Sequence, residues 1–295
     1  MEERIFDYTA LDTFLTCRRK YYWMMIRNLR SQYVAPALDF GGALHTALAA
    51  YYASGLESAL KVFKEVYKDR EGDDLRTVAN GEKLLCTYAD KYRSEPFKVI
   101  EGGGKPALEI GFIVPMGDVM YAGRLDALVD WSGQLFVLEH KSTASMQSNY
   151  FKQFSPNMQV DGYIYGAAAY TGRKCHGCII NAMEVWKDVK RPTERTKKPE
   201  DHFARDPQTR TEAELEDFAN QVNSIVEDVL YCEELMGEEK IKDAFYQNKH
   251  SCMNYRYDCP YRQLCLYGEN ERIIENDYVK DKWEPYKEAV VETSE

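Results

Sequence analysis

Two carboxylates and a lysine lie close together in residues 123–141, in a pattern that suits a divalent metal. The stretch predicts two apolar strands joined by a tight polar turn. Residues two apart on a strand point to the same face, so Glu139 and Lys141 project together while His140 points away. A hairpin can bring Asp126 beside them. Adjacent carboxylates repel each other unless a cation joins them, and oxygen ligands suit Mg²⁺ or Mn²⁺.

Two predicted helices carry further polar side chains. His45 follows Gly41 by four residues on a helix predicted to continue to Tyr52, and such a histidine is either part of the packed core or a metal ligand. Gln159 and Tyr163 share one face of a helix predicted to begin at residues 155–156. Glutamine can bond a phosphate oxygen or a base edge, and tyrosine can stack on a base.

The order of these residues resembles the PD-(D/E)XK nuclease superfamily, and within it the RecB-like and Cas4-like branch. The resemblance implies an α/β fold with a restriction-endonuclease-like core, in which a mixed central sheet is flanked by helices and carries helical insertions. It also implies a set of site residues. The metal ligands would be His45, Asp126, Glu139 and the backbone carbonyl of His140, and the catalytic residues would be Asp126, Glu139, Lys141, Gln159 and Tyr163.

Glu109 lies on a strand predicted over residues 107–114. A glutamate often occupies this strand in RecB-like nucleases. The residues alone favour a simpler interpretation, a partly exposed strand carboxylate.

A second group of residues consists of cysteines. Cys252, Cys259 and Cys265 fall within fourteen residues, which leaves a four-ligand site one ligand short, and Cys17 can supply the fourth. The layout resembles the iron–sulfur nucleases of the same superfamily and implies a C-terminal cysteine clasp around a [4Fe–4S] cluster. Thiolates also suit Zn²⁺, and His250 could replace Cys252, so both alternatives stay open.

The chain of 295 residues has a net charge of −10, which argues against a uniformly basic nucleic-acid binder. Local basic residues are still candidate DNA contacts: Arg18 and Arg19, and Lys190 and Arg191 in a predicted loop. On the residues alone, each pair is either solvated or bound to phosphate. We find no run of about eighteen apolar residues and no signal peptide, and therefore expect a cytoplasmic protein.

The predicted organisation is a single nuclease domain over residues 1–268, followed by an acidic tail over 269–295. Within the domain, residues 56–100 are predicted to be a helical insertion. Residues 250–268, together with Cys17, are predicted to hold the iron–sulfur cluster.

The resemblance implies a metal-dependent DNA nuclease that leaves a 5′-phosphate, acting as an exonuclease on single-stranded or end-containing DNA. It would work in recombination and repair, phage DNA processing or CRISPR adaptation, with a helicase or a recombination or CRISPR-adaptation partner. Two alternatives remain: a non-catalytic nucleic-acid-binding subunit of the same fold, and a zinc-clasped interaction protein.

Overall fold

The computed structural model describes residues 4–188, 193, 196–237, 241–254, 257–284 and 286–287. Its helices are α1 (Tyr8–Thr16), α2 (Arg18–Tyr21), α3 (Pro36–Ser54), α4 (Leu56–Val66), α5 (Val78–Lys91), α6 (Met158–Thr171), α7 (Glu212–Gly237), α8 (Ile241–Ala244), α9 (Arg262–Tyr267) and α10 (Glu271–Asp277). Its strands are β1 (Ile5–Asp7), β2 (Leu29–Ser31), β3 (Lys98–Val99), β4 (Glu101–Gly102), β5 (Lys105–Pro106), β6 (Leu108–Met116), β7 (Val119–Trp131), β8 (Gln134–Thr143), β9 (Cys175–Glu184), β10 (Phe203–Gln208), β11 (Met253–Asn254), β12 (Tyr257–Asp258) and β13 (Tyr278–Lys280).

The described chain packs as two compact units. Unit 1 contains the described parts of residues 1–34, 113–123 and 212–287, and unit 2 contains those of residues 35–112 and 124–211. The division into one domain and an acidic tail stays a prediction. Among the described residues, the structure has no helix with both the length and the apolar character required to span a bilayer.

The sheet of unit 2 contains the predicted hairpin. Strands β7 and β8 run antiparallel, with Ala127 opposite Leu138, and both turn residues between them have positive φ, 55° at Ser132 and 84° at Gly133. Such a pair of left-handed residues matches the twist of a two-residue hairpin. Strand β9 is parallel to β8, and β10 is antiparallel to β9 at the edge. The sheet is therefore mixed, as the predicted fold class requires.

Helix α3 packs through an amphipathic stripe. Its buried residues recur with helical spacing, at Phe40, Ala43, Leu44, Ala47 and Leu48. They share one core cluster with buried residues of α4 and α5. The predicted insertion over residues 56–100 is thus helical over two segments, while its last residues form strand β3. His45 lies beside the stripe rather than within it, so its side chain stays about 29% exposed.

Helix α6 begins later than predicted. The side chain of Asn157 accepts a hydrogen bond from the backbone N–H of Val160 (3.1 Å), and Asn157 is therefore the N-cap in place of Ser155. Gly166 on this helix lies against the Phe112 ring, where an added Cβ would come within 2.3 Å of ring carbons. The close approach seats α6 against the neighbouring strand.

Unit 1 contains both regions that supply the predicted clasp. The sequence predicts one helix over residues 8–27 with Thr9 as its N-cap, but in the structure Asp7 caps α1 instead. The helix predicted over residues 8–27 is interrupted at Cys17, whose backbone is extended (φ −165°, ψ 110°). Residues 271–280 of the predicted tail form α10 and β13, and β13 pairs antiparallel with β2.

The fold class predicted from the sequence, a mixed sheet flanked by helices in a restriction-endonuclease-like core, is confirmed.

Candidate active site

Three carboxylates from consecutive strands converge with a histidine in unit 2. Glu109 comes from β6, Asp126 from β7 and Glu139 from β8, and Asp126 and Glu139 directly adjoin the last pair of the hairpin register, Ala127 opposite Leu138. The Nδ1 atom of His45 lies 3.1 Å from Asp126 Oδ1. His45, Glu109 and Asp126 each offer a ligand atom, and these atoms lie within 4.8 Å of one another. The predicted ligands Asp126 and His45 therefore meet, and Glu109 joins them.

Two carboxylate oxygens in this group are buried without a hydrogen-bond partner among the described residues: Glu109 Oε1 and Glu139 Oε2. The other oxygen of each group is occupied. Lys141 Nζ lies 2.7 Å from Glu139 Oε1, and Arg124 Nε lies 3.2 Å from Glu109 Oε2. A buried oxygen with no partner is costly, and a hard divalent cation is the partner that such oxygens prefer. The residues present thus fit a Mg²⁺ or Mn²⁺ ion.

The charges of the site favour the same occupant. Burial and the nearby Asp126 charge raise the pKa of Glu109 and of Glu139 to about 7. Burial opposes ionisation of Asp126 too, but His45 and the His140 backbone hold the pKa of Asp126 below its usual value. Burial lowers the pKa of His45, yet Asp126 raises it to about 9. Binding of a cation would release protons from the two glutamates and from His45, because ligands must be deprotonated to bind metal.

Lys141 is held by two predicted site residues. Its Nζ donates to Glu139 Oε1 and, at 2.9 Å, to Gln159 Oε1, while Gln159 Nε2 donates to the hydroxyl of Tyr163 (2.9 Å). Burial would lower the pKa of Lys141, but Glu139 keeps it above the usual value, so the ammonium stays charged at neutral pH. The structure therefore brings Glu139, Lys141, Gln159 and Tyr163 into one hydrogen-bonded chain.

His140 is fixed on both its backbone and its ring. Its backbone N–H donates to Asp126 Oδ2 (2.7 Å). Its ring stacks on Tyr52 at 6.0 Å between centroids, and its Nδ1 accepts a hydrogen bond from Asn181 Nδ2 (2.7 Å). Burial lowers the pKa of His140 to about 3, so the ring is neutral.

Asn181 connects His140 to a buried polar network that the sequence did not reveal. Asn181 Nδ2 also donates to the hydroxyl of Tyr88 (3.0 Å), and Asn181 Oδ1 accepts from Arg205 Nε (2.9 Å). Arg205 in turn forms a bidentate ion pair with Glu95. These residues are distant in sequence and carry no motif, so the only available signal was their occurrence on predicted strands and helices.

Replacing Asn181 with alanine is expected to weaken Mn²⁺ binding by about 10- to 100-fold, the range for partners that hold metal ligands in place. The change leaves His140 Nδ1 without its donor, and the His140 backbone holds Asp126. Isothermal titration calorimetry of the metal-free protein with Mn²⁺ measures the effect directly.

Asn80→Ala is the matched control for this change. Asn80 is a half-buried asparagine of unit 2 whose side chain bonds the backbone carbonyl of Leu75, away from the carboxylates. Both variants should melt cooperatively. Equal Mn²⁺ affinity for Asn181→Ala and Asn80→Ala would show that Asn181 has no influence on the metal site.

The four predicted cluster cysteines approach one another within unit 1. Burial raises the pKa of Cys259, and the nearby thiols of Cys17 and Cys252 raise it further. Burial likewise raises the pKa of Cys265, with contributions from Cys259 and Cys17. The backbone N–H of Cys259 also donates to the carbonyl of Cys252 (2.8 Å). Cys252 thus lies near Cys259, whereas the side chain of His250, the alternative ligand, is exposed.

The spacing of these thiols and a buried indole bear on the kind of group they fit. Four sulfurs around one Zn²⁺ lie only about 4 Å apart, given Zn–S bonds of about 2.3 Å. Among the described residues, no three cysteine sulfurs lie within 4.8 Å of one another. The described cysteine sulfurs therefore lie farther apart than the ligands of a single Zn²⁺ do. Trp23 is buried, and a hydrogen bond from its indole to the Cys265 thiol opposes the rise in pKa that burial causes there.

Of the four basic residues predicted to contact DNA, the structure describes two. Arg18 donates to the sulfur of Cys232 (3.1 Å) and to Asp228 (3.3 Å), and Arg19 Nε donates to the carbonyl of Phe245 (2.6 Å). Both arginines thus have partners within unit 1, and their contact with DNA stays a prediction. Lys190 and Arg191 lie outside the described residues.

Comparison with known proteins gives one family match and several structural likenesses. No curated protein matches the sequence. The structure is similar to that of an alkaline exonuclease (LHK-Exo) from Laribacter hongkongensis, with 12% identity and a TM-score of 0.35 over 69% of this chain and 97% of that chain. LHK-Exo in complex with dAMP is similar at 13% identity and a TM-score of 0.33, over 70% and 98%. The model of the PD-(D/E)XK nuclease superfamily matches residues 6–266, most of the chain. The chain belongs to the PD-(D/E)XK nuclease superfamily.

Proposed function

We propose that this protein is a metal-dependent deoxyribonuclease that hydrolyses phosphodiester bonds and carries a structural [4Fe–4S] cluster. One observation supports the nuclease assignment above the others. Ligand atoms of His45, Glu109 and Asp126 lie within 4.8 Å of one another. Beside them, Glu139 presents a buried oxygen without a hydrogen-bond partner among the described residues.

The metal would be held by side chains of four residues and one backbone group: His45, Glu109, Asp126, Glu139 and the carbonyl of His140. A bound Mn²⁺ or Mg²⁺ polarises a phosphoryl oxygen and lowers the pKa of a coordinated water. Imidazole among the ligands favours Mn²⁺ over Mg²⁺. Glu109 is an addition to the ligand set predicted from the sequence.

The chain's own residues then orient and neutralise the reacting groups. Lys141 retains its proton, because Glu139 raises its pKa. It therefore acts as a fixed cation that positions the attacking water and offsets charge developing on the phosphate. Gln159 holds the Lys141 ammonium in place at 2.9 Å, and Tyr163 holds Gln159. These three hydrogen-bonded residues would line the path by which the scissile phosphate enters the site.

The proposal also covers the branch of the superfamily, the DNA substrate and the cellular process. We assign the protein to the RecB-like and Cas4-like iron–sulfur branch, acting as an exonuclease on single-stranded or end-containing DNA. It would act in the cytoplasm, in recombination and repair, phage DNA processing or CRISPR adaptation. A helicase or a recombination or CRISPR-adaptation protein would be its partner. The iron–sulfur assignment is supported by the approach of four thiols in unit 1.

The test is cleavage of end-labelled single-stranded DNA by the purified protein with Mn²⁺, with Mg²⁺ and with excess EDTA. We expect metal-dependent cleavage that leaves 5′-phosphates and stops with EDTA. A circular single strand, which has no ends, should resist if the activity is exonucleolytic. DNA binding without cleavage under any metal would instead support the non-catalytic nucleic-acid-binding alternative.

A further inference from the structure

A groove beside Cys17 is lined by residues of unit 1 alone. Its volume is about 570 Å³, within the range of sites that hold small organic groups such as a nucleotide. One wall is the segment that contains Tyr246, Lys249 and His250, and another contains the end of α1 and Arg18 at the start of α2. All of these residues belong to unit 1.

The Tyr246 ring lines the groove and has a cation packed against it. The Arg18 guanidinium lies 5.2 Å from the centre of the Tyr246 ring and 4.9 Å from that of Phe14, so it sits close to both aromatic rings. Tyr246 is nevertheless 52% exposed. An aromatic ring held in place with an open surface is a platform on which a nucleobase stacks.

The loop that carries Tyr246 is fixed by its own hydrogen bonds. The side chain of Asn248 donates to the carbonyl of Thr16 (2.9 Å), and its backbone N–H donates to the sulfur of Cys17 (3.4 Å). Gln247 Nε2 donates to the carbonyl of Cys265 (3.2 Å). The platform is therefore attached to the cysteine group and needs no large ordering step on binding.

The charge around Tyr246 suits a polyanion. Residues 244–257 contain no Asp or Glu, in a chain with 48 acidic residues, and they include Lys249 and His250. Lys249 is exposed and forms no side-chain ion pair with the described residues. Among the described residues that line the groove, Asp228 is the one carboxylate, and it is paired with Arg18 at 3.3 Å. Cationic groups beside an open aromatic ring are what a single strand of nucleic acid requires.

We propose that this groove binds a segment of single-stranded nucleic acid, with one base stacked on Tyr246 and a neighbouring phosphate near Lys249. The groove would hold substrate outside the nuclease centre. The proposal rests on nucleic acid being the substrate, as proposed above, but not on cleavage occurring.

The test measures binding of a fluorescein-labelled oligothymidylate of about twenty nucleotides, by anisotropy and without added divalent metal. Tyr246→Ala should raise Kd by about tenfold or more, the size expected for loss of one stacked base. Tyr246→Phe should retain the parent Kd. Lys249→Ala should weaken binding and reduce the slope of log Kd against log salt by about 0.7.

Matched controls lie outside the groove. Tyr170 is 51% exposed on α6, and Lys105 is exposed on β5, so Tyr170→Ala and Lys105→Ala should bind like the parent. Parent-like binding by Tyr246→Ala, or an unchanged salt slope for Lys249→Ala, would overturn the proposal. The exposed position of Lys249 makes that variant safe for folding.

A second readout separates this proposal from the nuclease assignment. Hydrolysis of thymidine 5′-(p-nitrophenyl phosphate) with Mn²⁺ reports the nuclease centre without needing an extended strand. Tyr246→Ala should hydrolyse this small substrate at the parent rate. If the parent hydrolyses neither this substrate nor DNA, the nuclease proposal fails, while the binding measurements still decide the groove.

Discussion

Replacing Lys141 with alanine is expected to slow DNA cleavage by at least about 10²-fold, the cost of losing one preorganised group that stabilises transition-state charge. Mn²⁺ should bind as tightly as in the parent, or more tightly. The reason is that Lys141 is a cation 2.7 Å from Glu139 Oε1, so it competes with a metal ion for that carboxylate. Cleavage rates at saturating Mn²⁺ and calorimetric Mn²⁺ titration measure the two effects separately.

Asp126→Asn is the contrasting variant. It keeps the size of the side chain but removes the anion that pairs with His45 at 3.1 Å and accepts the His140 N–H at 2.7 Å. Both Mn²⁺ binding and cleavage should therefore be lost together. If Lys141→Ala cut DNA as fast as the parent, Lys141 would have no part in the chemistry. If Asp126→Asn did so, the carboxylate group would not be the active site.

The hairpin could be predicted because its signals are local. Alternating and apolar residues mark the strands, and a Ser-Gly pair that accepts positive φ marks the turn. Once the register pairs Ala127 with Leu138, Asp126 and Glu139 must lie at the same end of the hairpin. The helical pair Gln159 and Tyr163 follows from a spacing of four residues in the same way.

Glu109 could not be placed by the same reasoning. Its φ is +49°, a left-handed conformation that a non-glycine residue within a strand rarely adopts. Such a residue disturbs the alternation of side chains, so period-two counting does not give the direction of its carboxylate. Its partly buried position beside Asp126 depends on the fold. Strained residues of this kind cluster at functional sites.

The first residues of two helices were predicted wrongly for a different reason. Asp7 and Thr9 are both capable N-caps, as are Ser155 and Asn157, and local sequence does not rank them reliably. In unit 1, Asp7 also accepts a hydrogen bond from the indole of Trp283 (2.9 Å), a contact between residues at opposite ends of the chain. Tertiary contacts of this sort favour one cap over its neighbour.

Replacing Cys259 with serine is expected to remove the iron–sulfur cluster and to lower the Tm of the protein by about 10 °C. The cluster would join Cys17 to a segment more than 200 residues later, and a link that closes so long a loop stabilises the fold by several kcal/mol. For a chain of this size, 1 kcal/mol corresponds to about 2–4 °C in Tm. Iron, sulfide and zinc analysis after anaerobic purification, together with thermal melting, measures both effects.

Cys86→Ser is the matched control, because Cys86 is a half-buried thiol on α5 in unit 2, outside the cysteine group. It should retain the iron content and Tm of the parent. Full iron in Cys259→Ser would show that Cys259 is not a ligand. A parent protein that contains one zinc and no iron would replace the cluster with the zinc alternative. The carboxylate site belongs to unit 2, so hydrolysis of thymidine 5′-(p-nitrophenyl phosphate) by Cys259→Ser tests whether the clasp also affects the chemistry. A parent-like rate would show that the clasp supports only the stability of unit 1.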